Sequence, residues 1–479
     1  MSLINSRGMF LGSAAAAFCA PAAALPFAAV CFGLQGALAA LHLAAFATRP
    51  SQTGQSSSSK VTDLFFSVHI AAHDEPPELV LATLRTLACQ VDAPSFEVIV
   101  LDNNTVEVDR WQPVQEACRS LGFRFYHEMG VQGAKAGALN IALQRTSRAA
   151  THVVILDADY QVDARFLSRA ALALRDLPSD FLQFPQAYRQ AEGAAAGLAL
   201  ELADYFERHA RQADGADAML LTGTLSVIRY DALAEVGGWS SASLTEDAEL
   251  GLRLQRSGYR GRLVDEVVGR GLLPLDLPGL KQQRYRWAAG NITTLLSSLT
   301  GLPARKALHV GSQLTAWSNF SLPLAAMLIG GGLAAALGDA SPSLIALLSI
   351  ASAGMLIVYL STLLPLLRPA LQKESVGKGT MAAALATRVA MILPSAQGTI
   401  DGILGTAGQF RRTSKDAKPL AGAVDLTLPF LAVCGLVLIC APDVPAFAKL
   451  AAILLALPLP LSIATQAMLS DYRISIQPE

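Results

Sequence analysis

The sequence predicts an α/β domain, a doubly wound and Rossmann-like sheet, inserted between α-helical transmembrane segments. Three observations predict it. Charged residues make up only 16% of the 479, and they concentrate between residues 60 and 300, while both ends are rich in Ala and Leu. Within that middle block, short apolar runs alternate with stretches of helical spacing, the pattern of parallel strands joined by crossover helices. Outside it lie long runs without charge, which suit the bilayer. A net charge of −1 argues against a nucleic-acid partner held by bulk electrostatics. The cysteines (Cys19, Cys31, Cys89, Cys118, Cys434, Cys440) form no Cys-x-x-Cys pair, so neither a disulfide framework nor a zinc site is implied.

From Gly8 to Thr48 there is no charged residue, about twice the ~20 residues a helix needs to cross a bilayer. Pro21 and Pro26 divide the run into helices near 9–24 and 27–47, making residues 1–50 a transmembrane hairpin. A cleaved signal peptide after Arg7 is the rival reading. Whether this segment makes one span or two stays open. Residues 51–60 are a polar, Ser-rich linker, and residues 61–300 form the domain.

Leu64–Ala71 reads as a buried strand, followed by the loop His73–Pro77 and a helix over Glu78–Cys89. The next strand, Phe96–Leu101, ends in Asp102-Asn103-Asn104, and a helix near 109–121 follows. Strand Phe123–Tyr126 leads through Gly130 and Gly133 into a helix opening at Lys135. A lysine there opposes the helix dipole unless an anion sits beside it. Val153–Leu156 is a strand buried on both faces, ending in Asp157-Ala158-Asp159. Ligands bind where such strands release their carboxyl ends. Residues two apart point to one side of an extended chain, so both carboxylates can serve one hard cation, Mg²⁺ or Mn²⁺. Asp74, Asp102, Asp157 and Asp159 then share one rim of the sheet.

Beyond this, Phe184-Pro185-Gln186 follows another apolar run, and Thr222–Leu225 precedes the strand Ser226–Arg229. Leu244-Thr245-Glu246-Asp247 opens a helix, with Thr245 as N-cap and acids in the first turn, where the dipole favours them. Gln283–Trp287 gathers an amide, two guanidinium groups and an indole. Such a set suits anchoring at a membrane interface, or the cradling of a diphosphate and a sugar.

Residues 301–479 form a C-terminal membrane region. Trp317–Leu337 pairs with Leu344–Leu367, and Val424–Ala441 with Ala446–Leu469. Arg305, Lys306, Arg368, Lys373, Lys378, Arg388, Arg411, Arg412, Lys415, Lys418 and Arg473 gather on the opposite side of each pair. The positive-inside rule puts them and the middle block in the cytoplasm, giving six spans. Residues 384–408, broken by Arg388, Pro394 and Asp401, read as an interfacial helix.

The ordered set Asp102, Asp157-Ala158-Asp159, Thr245-Glu246-Asp247 and Gln283-x-x-Arg286-Trp287 resembles the D, DxD, TED, QxxRW series of processive family-2 glycosyltransferases. That group includes cellulose, chitin and hyaluronan synthases, and the resemblance covers residues 64 to 300. Val100–Thr105, Lys135–Asn140 and Gly269–Leu272 are worded most like bacterial β-(1→3)-glucan synthases. The resemblance implies a GT-A fold, a UDP-glucose donor, and a growing polysaccharide acceptor passed across a bacterial inner membrane, with an accessory export protein compatible. It implies that Glu75, Asp102, Lys135, Asp157, Asp159, Gln283 and Arg286 bind the nucleotide sugar, with Asp157 and Asp159 holding Mg²⁺ or Mn²⁺. Asp247 would be the general base, supported by Glu246, and Trp287, Thr245 and Gln186 would meet the acceptor. Phe410–Lys415 resembles a gating loop, with Phe410, Thr413 and Lys415 kept and Arg412 in place of Val. A basic anchor for anionic lipid is the other reading of it. Asp74 stands where relatives commonly have Asn. The alternatives are a single-sugar transferase to lipid, a synthase of another polymer from a different UDP-sugar, and a silent membrane scaffold.

Overall fold

The computed structural model describes residues 5–48, 63–177, 179–193, 195–297, 299–367, 376–408 and 426–476. The linker at 51–60 and the expected gating loop, with Phe410, Thr413 and Lys415, lie outside the described residues. Two N-terminal helices, α1 (Ser6–Cys19) and α2 (Pro21–Ala47), break at Ala20 rather than between the two prolines. Pro21 opens α2, where its missing N–H costs nothing, and the helix continues through Pro26.

The middle block then alternates: β1 (Phe65–Ala72), α3 (Pro77–Ala88), β2 (Ser95–Asn103), α4 (Val108–Leu121), β3 (Arg124–Glu128), α5 (Ala134–Gln144), β4 (His152–Asp157). These four strands are parallel, in the order β3-β2-β1-β4. Register aligns their ends: β1 sets Ala72 beside Asp102 and Ala71 beside Asp157. Two acids 55 positions apart in the chain (102 to 157) thus come to one rim through one shared neighbour. Alternate strand residues feed separate cores. Val68, Ile70, Val100, Val154 and Leu156 pack with Leu84, Leu87 and Phe166, while Val153, Ile155 and Ile228 pack with Leu139, Leu250 and Leu254. Both faces are covered, which is why these strands read as unbroken apolar runs.

The rest of the sheet is mixed, a GT-A-like arrangement rather than a fully parallel one. After β5 (Gln161–Val162), α6 (Phe166–Asp176), β6 (Phe181–Gln183) and β7 (Ala187–Tyr188), the chain makes a long excursion through α7 (Ala195–Tyr205), a π-helical turn (Phe206–Ala210) and α8 (Arg211–Asp214). It returns as β8 (Ser226–Arg229), antiparallel to both β4 and β6. No crossover helix leads straight into β8, so the βαβ rule does not fix its direction. α9 (Tyr230–Glu235), α10 (Glu246–Arg256), β9 (Gly261–Leu263) and β10 (Gly269–Gly271) complete the layer. β9 runs parallel to β6, and β5, β10 and β7 form a small second sheet.

The C-terminal part contains α11 (Leu277–Ser297), α12 (Ala304–Leu314), α13 (Ser321–Ala336), α14 (Pro342–Leu363), α15 (Lys378–Ala390), α16 (Ile392–Leu404), α17 (Thr427–Cys440), α18 (Ala446–Ala456) and α19 (Pro458–Ser475). Among the described residues, four helical stretches are long and apolar enough to cross a membrane: Pro21–Ala47, Pro342–Leu367, Lys378–Leu404 and Ala446–Ser475. Ser321–Ala336 and Thr427–Cys440 are apolar but shorter. The Lys378–Leu404 stretch has the length and apolarity of a span, yet most of it is covered by protein, with α15 against α7 and α16 against α11.

Arg388 explains part of that covering. It is buried, with Nε 2.5 Å from Glu201 Oε1 and Nη2 3.0 Å from Asp204 Oδ2. Arg284 Nη2 reaches the other oxygen of Glu201 at 2.7 Å. Burial alone would raise the Glu201 carboxyl, but Arg284 and Arg388 outweigh it and hold the group below its ordinary value. Arg388 is therefore a buried counter-ion and not the solvated flanking charge expected from its sequence position. Arg284 stays on Glu201 and Arg208 on Asp204, so Arg388→Met removes shared charged hydrogen bonds and not a sole counter-ion, and should destabilise the protein by about 1.5–3 kcal/mol. Denaturant titration in detergent would measure it; a change below about 1 kcal/mol would mean the cluster is not fully desolvated.

Candidate active site

The cleft above the strand ends encloses about 430 Å³. Its lining includes Glu75, Lys135 and Asp157, together with Thr245, Glu246 and Asp247. α11 contributes Gln283, Arg286 and Trp287, and Gln186 closes one edge. Residues drawn from six separated sequence regions therefore meet in one space.

Each side chain is placed by its element. Lys135, in the first turn of α5, sets Nζ 2.5 Å from Asp157 Oδ1, so the anion its position called for is the acid at the end of β4. Burial alone would lower the Lys135 ammonium, but Asp157, Glu246 and Asp247 outweigh it and raise it. Asp247 lies in the first turn of α10, its Oδ1 accepting from the Ala248 N–H at 2.8 Å. Burial and the adjacent Glu246 push its carboxyl up to about 7, against the opposing pull of Lys135, the Ala248 N–H and Arg286. A carboxylate poised near neutrality is suited to taking a proton.

Two glycines make this closeness possible. Gly223 has φ +94°, and a Cβ there would stand 2.8 Å from Asp247 Oδ2 and 3.6 Å from Lys135 Nζ. A Cβ on Gly290 of α11 would stand 2.7 Å from Thr245 Oγ1. The helix that carries Arg286 and Trp287 can thus lie directly on the start of α10. Thr245 occupies the N-cap position, but its hydroxyl pairs with Ser243 Oγ at 3.4 Å and caps no helix N–H.

Two predicted residues stand apart from the cleft wall. Asp102 is buried, accepting from Thr105 Oγ1 at 2.8 Å and pairing with His127 Nδ1 at 2.9 Å. Burial raises its carboxyl, partly offset by His127 and Thr105. Its neighbours Asn103 and Asn104 line the cleft instead. Asp159 is also buried, its Oδ2 accepting from the Leu272 N–H at 3.0 Å. The strand ends at Asp157 and the chain turns, with the Tyr160 N–H on the Asp157 carbonyl, so the two-residue spacing no longer places both carboxylates side by side in the cleft. Asp74, at φ +52°, shapes its turn and pairs with Arg110 at 3.2 Å.

Past Trp287 the cleft continues into a cavity of about 60 Å³ walled by Tyr205, Asn291 and Trp317, which also touches Thr245 and Asp247. Tyr205 stacks on Trp317 at 5.9 Å, and Trp287 lies 5.4 Å from Trp317. Arg284 sits 4.1 Å from the Trp317 ring centre. Gln283 Oε1 and Asn291 Oδ1 are buried acceptors with no hydrogen-bond partner among the described residues. Gly223, Asn291, Tyr205 and Trp317 were not expected here. Asn291 follows Trp287 by four positions on one helix, so i, i+4 spacing was an available signal for it. Trp317 read only as the start of an apolar run.

The sheet is GT-A-like in its mixed α/β arrangement, with an acid-lined cleft at its strand ends. Residues 152–339 match the model of Glycosyl transferase family group 2. A cellulose synthase catalytic subunit [UDP-forming] of Xanthomonas axonopodis pv. citri is 29% identical over 231 residues, covering 47% of this chain and 31% of the relative. Glucomannan 4-beta-mannosyltransferase 7 of Arabidopsis thaliana is 27% identical over 230 residues, covering 45% of this chain and 40% of the relative. This domain is thus homologous to cellulose synthase catalytic subunits and to glucomannan mannosyltransferases. The chain spans less than half the length of either. Among solved structures, mannosyltransferase PcManGT from Pyrobaculum calidifontis, in complex with GDP-Man and Mn2+, is 21% identical, covers 78% of this chain and 98% of its own, and has a TM-score of 0.47.

Proposed function

We propose that this protein is a membrane-embedded, inverting glycosyltransferase that extends a β-glucan from UDP-glucose on the cytoplasmic side of a bacterial inner membrane and passes it between its own helices. One observation carries the reading: Asp157, Asp247, Arg286 and Trp287 line a single cleft that leads into an aromatic-walled cavity. The donor's diphosphate fits between Asp157, Lys135 and Arg286. Asp247 takes the proton from the acceptor hydroxyl as that oxygen attacks the anomeric carbon, with Glu246 beside it raising its basicity. Arg286 offers paired N–H donors to the charge that builds on the departing diphosphate. Trp287 gives the acceptor sugar a flat face. Gln283 Oε1 and Asn291 Oδ1 await hydroxyl donors, which a sugar supplies.

The donor set also fits a divalent cation. Asp157 lines the cleft and offers it only oxygen. Mg²⁺ commonly binds through one or two carboxylates plus substrate phosphates. Asp157 would hold it, and the bound ion would neutralise the leaving diphosphate.

A second reading, transfer of mannose or another sugar into a related polymer, is favoured by the similarity to glucomannan mannosyltransferases. Purified protein in nanodiscs should be offered UDP-glucose, UDP-N-acetylglucosamine and GDP-mannose with Mg²⁺ or Mn²⁺, and the product digested with linkage-specific glucanases. Incorporation from UDP-glucose into a long glucanase-sensitive chain is expected. Single-sugar addition to lipid, or transfer from no donor, would overturn the proposal. Its kcat/KM should also fall as pH drops through about 7, the value to which Asp247 is raised. A profile flat from pH 5.5 to 8.5 would remove Asp247 as the base.

A further inference from the structure

Between α2, α14 and the π-helical turn lies a second cavity, about 470 Å³, which shares no lining residue with the catalytic cleft. Leu43 and Phe46 on α2, with Leu360 and Leu364 on the α14 side, wall it and are 69%, 42%, 44% and 56% exposed. Both helices belong to stretches long enough to cross a membrane, so the cover that these side chains need is apolar. The other end of the cavity is polar. Arg208 lines it, holding Asp204 through Nε and Nη2 at 2.9–3.1 Å while Nη1 makes no hydrogen bond among the described residues. His209 lines it too, only 4% exposed, with Nδ1 paired to Ser312 Oγ at 2.9 Å. Its Nε2 has no hydrogen-bond partner among the described residues.

Charge selects the occupant. The adjoining buried cluster joins three cations, Arg208, Arg284 and Arg388, to two anions, Glu201 and Asp204. The cluster so counted carries a net positive charge, and Arg208 is the member that lines the cavity. A molecule that is apolar along most of its length and ends in an anionic, hydrogen-bonding head fits both ends at once.

We propose that this cavity is a binding site for an anionic phospholipid of the bilayer, its phosphate at Arg208 and His209 and one acyl chain along α2 and α14. The proposal rests on the membrane part of the functional reading and is independent of the sugar transferred. Electrostatic attraction of one cation for an anionic headgroup corresponds to a preference of about fivefold.

The test uses the full chain in phosphatidylcholine nanodiscs doped with a phosphatidylglycerol or a phosphatidylcholine carrying a photoactivatable acyl chain, followed by peptide mapping. Labelling at residues 39–46 and 357–364 should be about fivefold higher from the anionic probe, and Arg208→Gln should equalise the two. Leu360→Trp, which fills the cavity from its exposed side, should lower labelling there from both probes while leaving residues 446–475 labelled as before. Equal labelling of the wild type by both probes would overturn the proposal, as would a preference unchanged in both variants. A preference abolished by excess inorganic phosphate would assign the site to a free anion and likewise overturn the lipid. Absence of labelling on every helix would instead bring down the membrane reading itself.

Discussion

Asp247→Asn should reduce sugar transfer by about 10²–10⁴-fold, the usual contribution of a positioned base, while leaving UDP binding nearly intact. The amide keeps the shape of the side chain and can still accept from the Ala248 N–H, but it cannot take a proton. The same change should stabilise the fold at alkaline pH. Because the folded carboxyl is raised from 3.8 to about 7, the folded state holds an extra proton between those values. Its stabilising contribution is complete below pH 3.8 and disappears as pH rises through 7. Above 7 the wild type carries a buried charge beside Glu246, and the variant does not. Thermal melts at pH 6 and pH 8.5, read with radiolabelled transfer and UDP titration, separate these effects. Transfer within tenfold of wild type would refute the base assignment, and a variant less stable at pH 8.5 would refute the account of its burial.

Gly223→Ala should be almost as damaging, although glycine carries no chemistry. Its φ of +94° is costly for any residue with a Cβ, and the added methyl would stand 2.8 Å from Asp247 Oδ2. That atom must move, and a displacement of about 1 Å at a reacting group can cost on the order of 10²-fold in rate. The loss should fall on kcat more than on KM for the donor, since Asp157 and Arg286 are untouched. A variant with wild-type kcat would show that the loop at 222–225 relaxes away from α10 without moving the base. A change confined to KM would place Gly223 at the donor and not at the base.

Much of this arrangement was readable from the chain. Apolar runs ending in Asp102 and Asp157 located two strand ends, which β1 separates on the same rim, because strands buried on both faces leave little ambiguity about where the sheet lies. Lys135 at a helix start was a visible electrostatic misfit, and Asp157 is the partner that resolves it. What could not be read were features set by long-range packing. The direction of β8 depends on an excursion of some forty residues (183 to 226) through α7 and α8, which no local pattern encodes. Asp159 shares its motif with Asp157 but turns to the Leu272 N–H, because the extended backbone stops one residue too early. Arg388 looked like a charge flanking a membrane segment, and only the packing of α15 on α7 shows it to be a buried counter-ion. Trp317 carried no polar neighbour to mark it, although it walls the cavity beyond Trp287.

The proposed joint role of Asp157, Asp247 and the Gln-x-x-Arg-Trp helix in one cleft is most directly tested by a cryo-EM structure of the protein in nanodiscs with UDP and Mn²⁺. The expected map places the metal at the Asp157 carboxylate and the diphosphate beside Lys135 and Arg286, with Asp247 facing the open end of the cleft. A nucleotide bound elsewhere, or Asp157 and Asp247 opening onto different surfaces, would contradict the account.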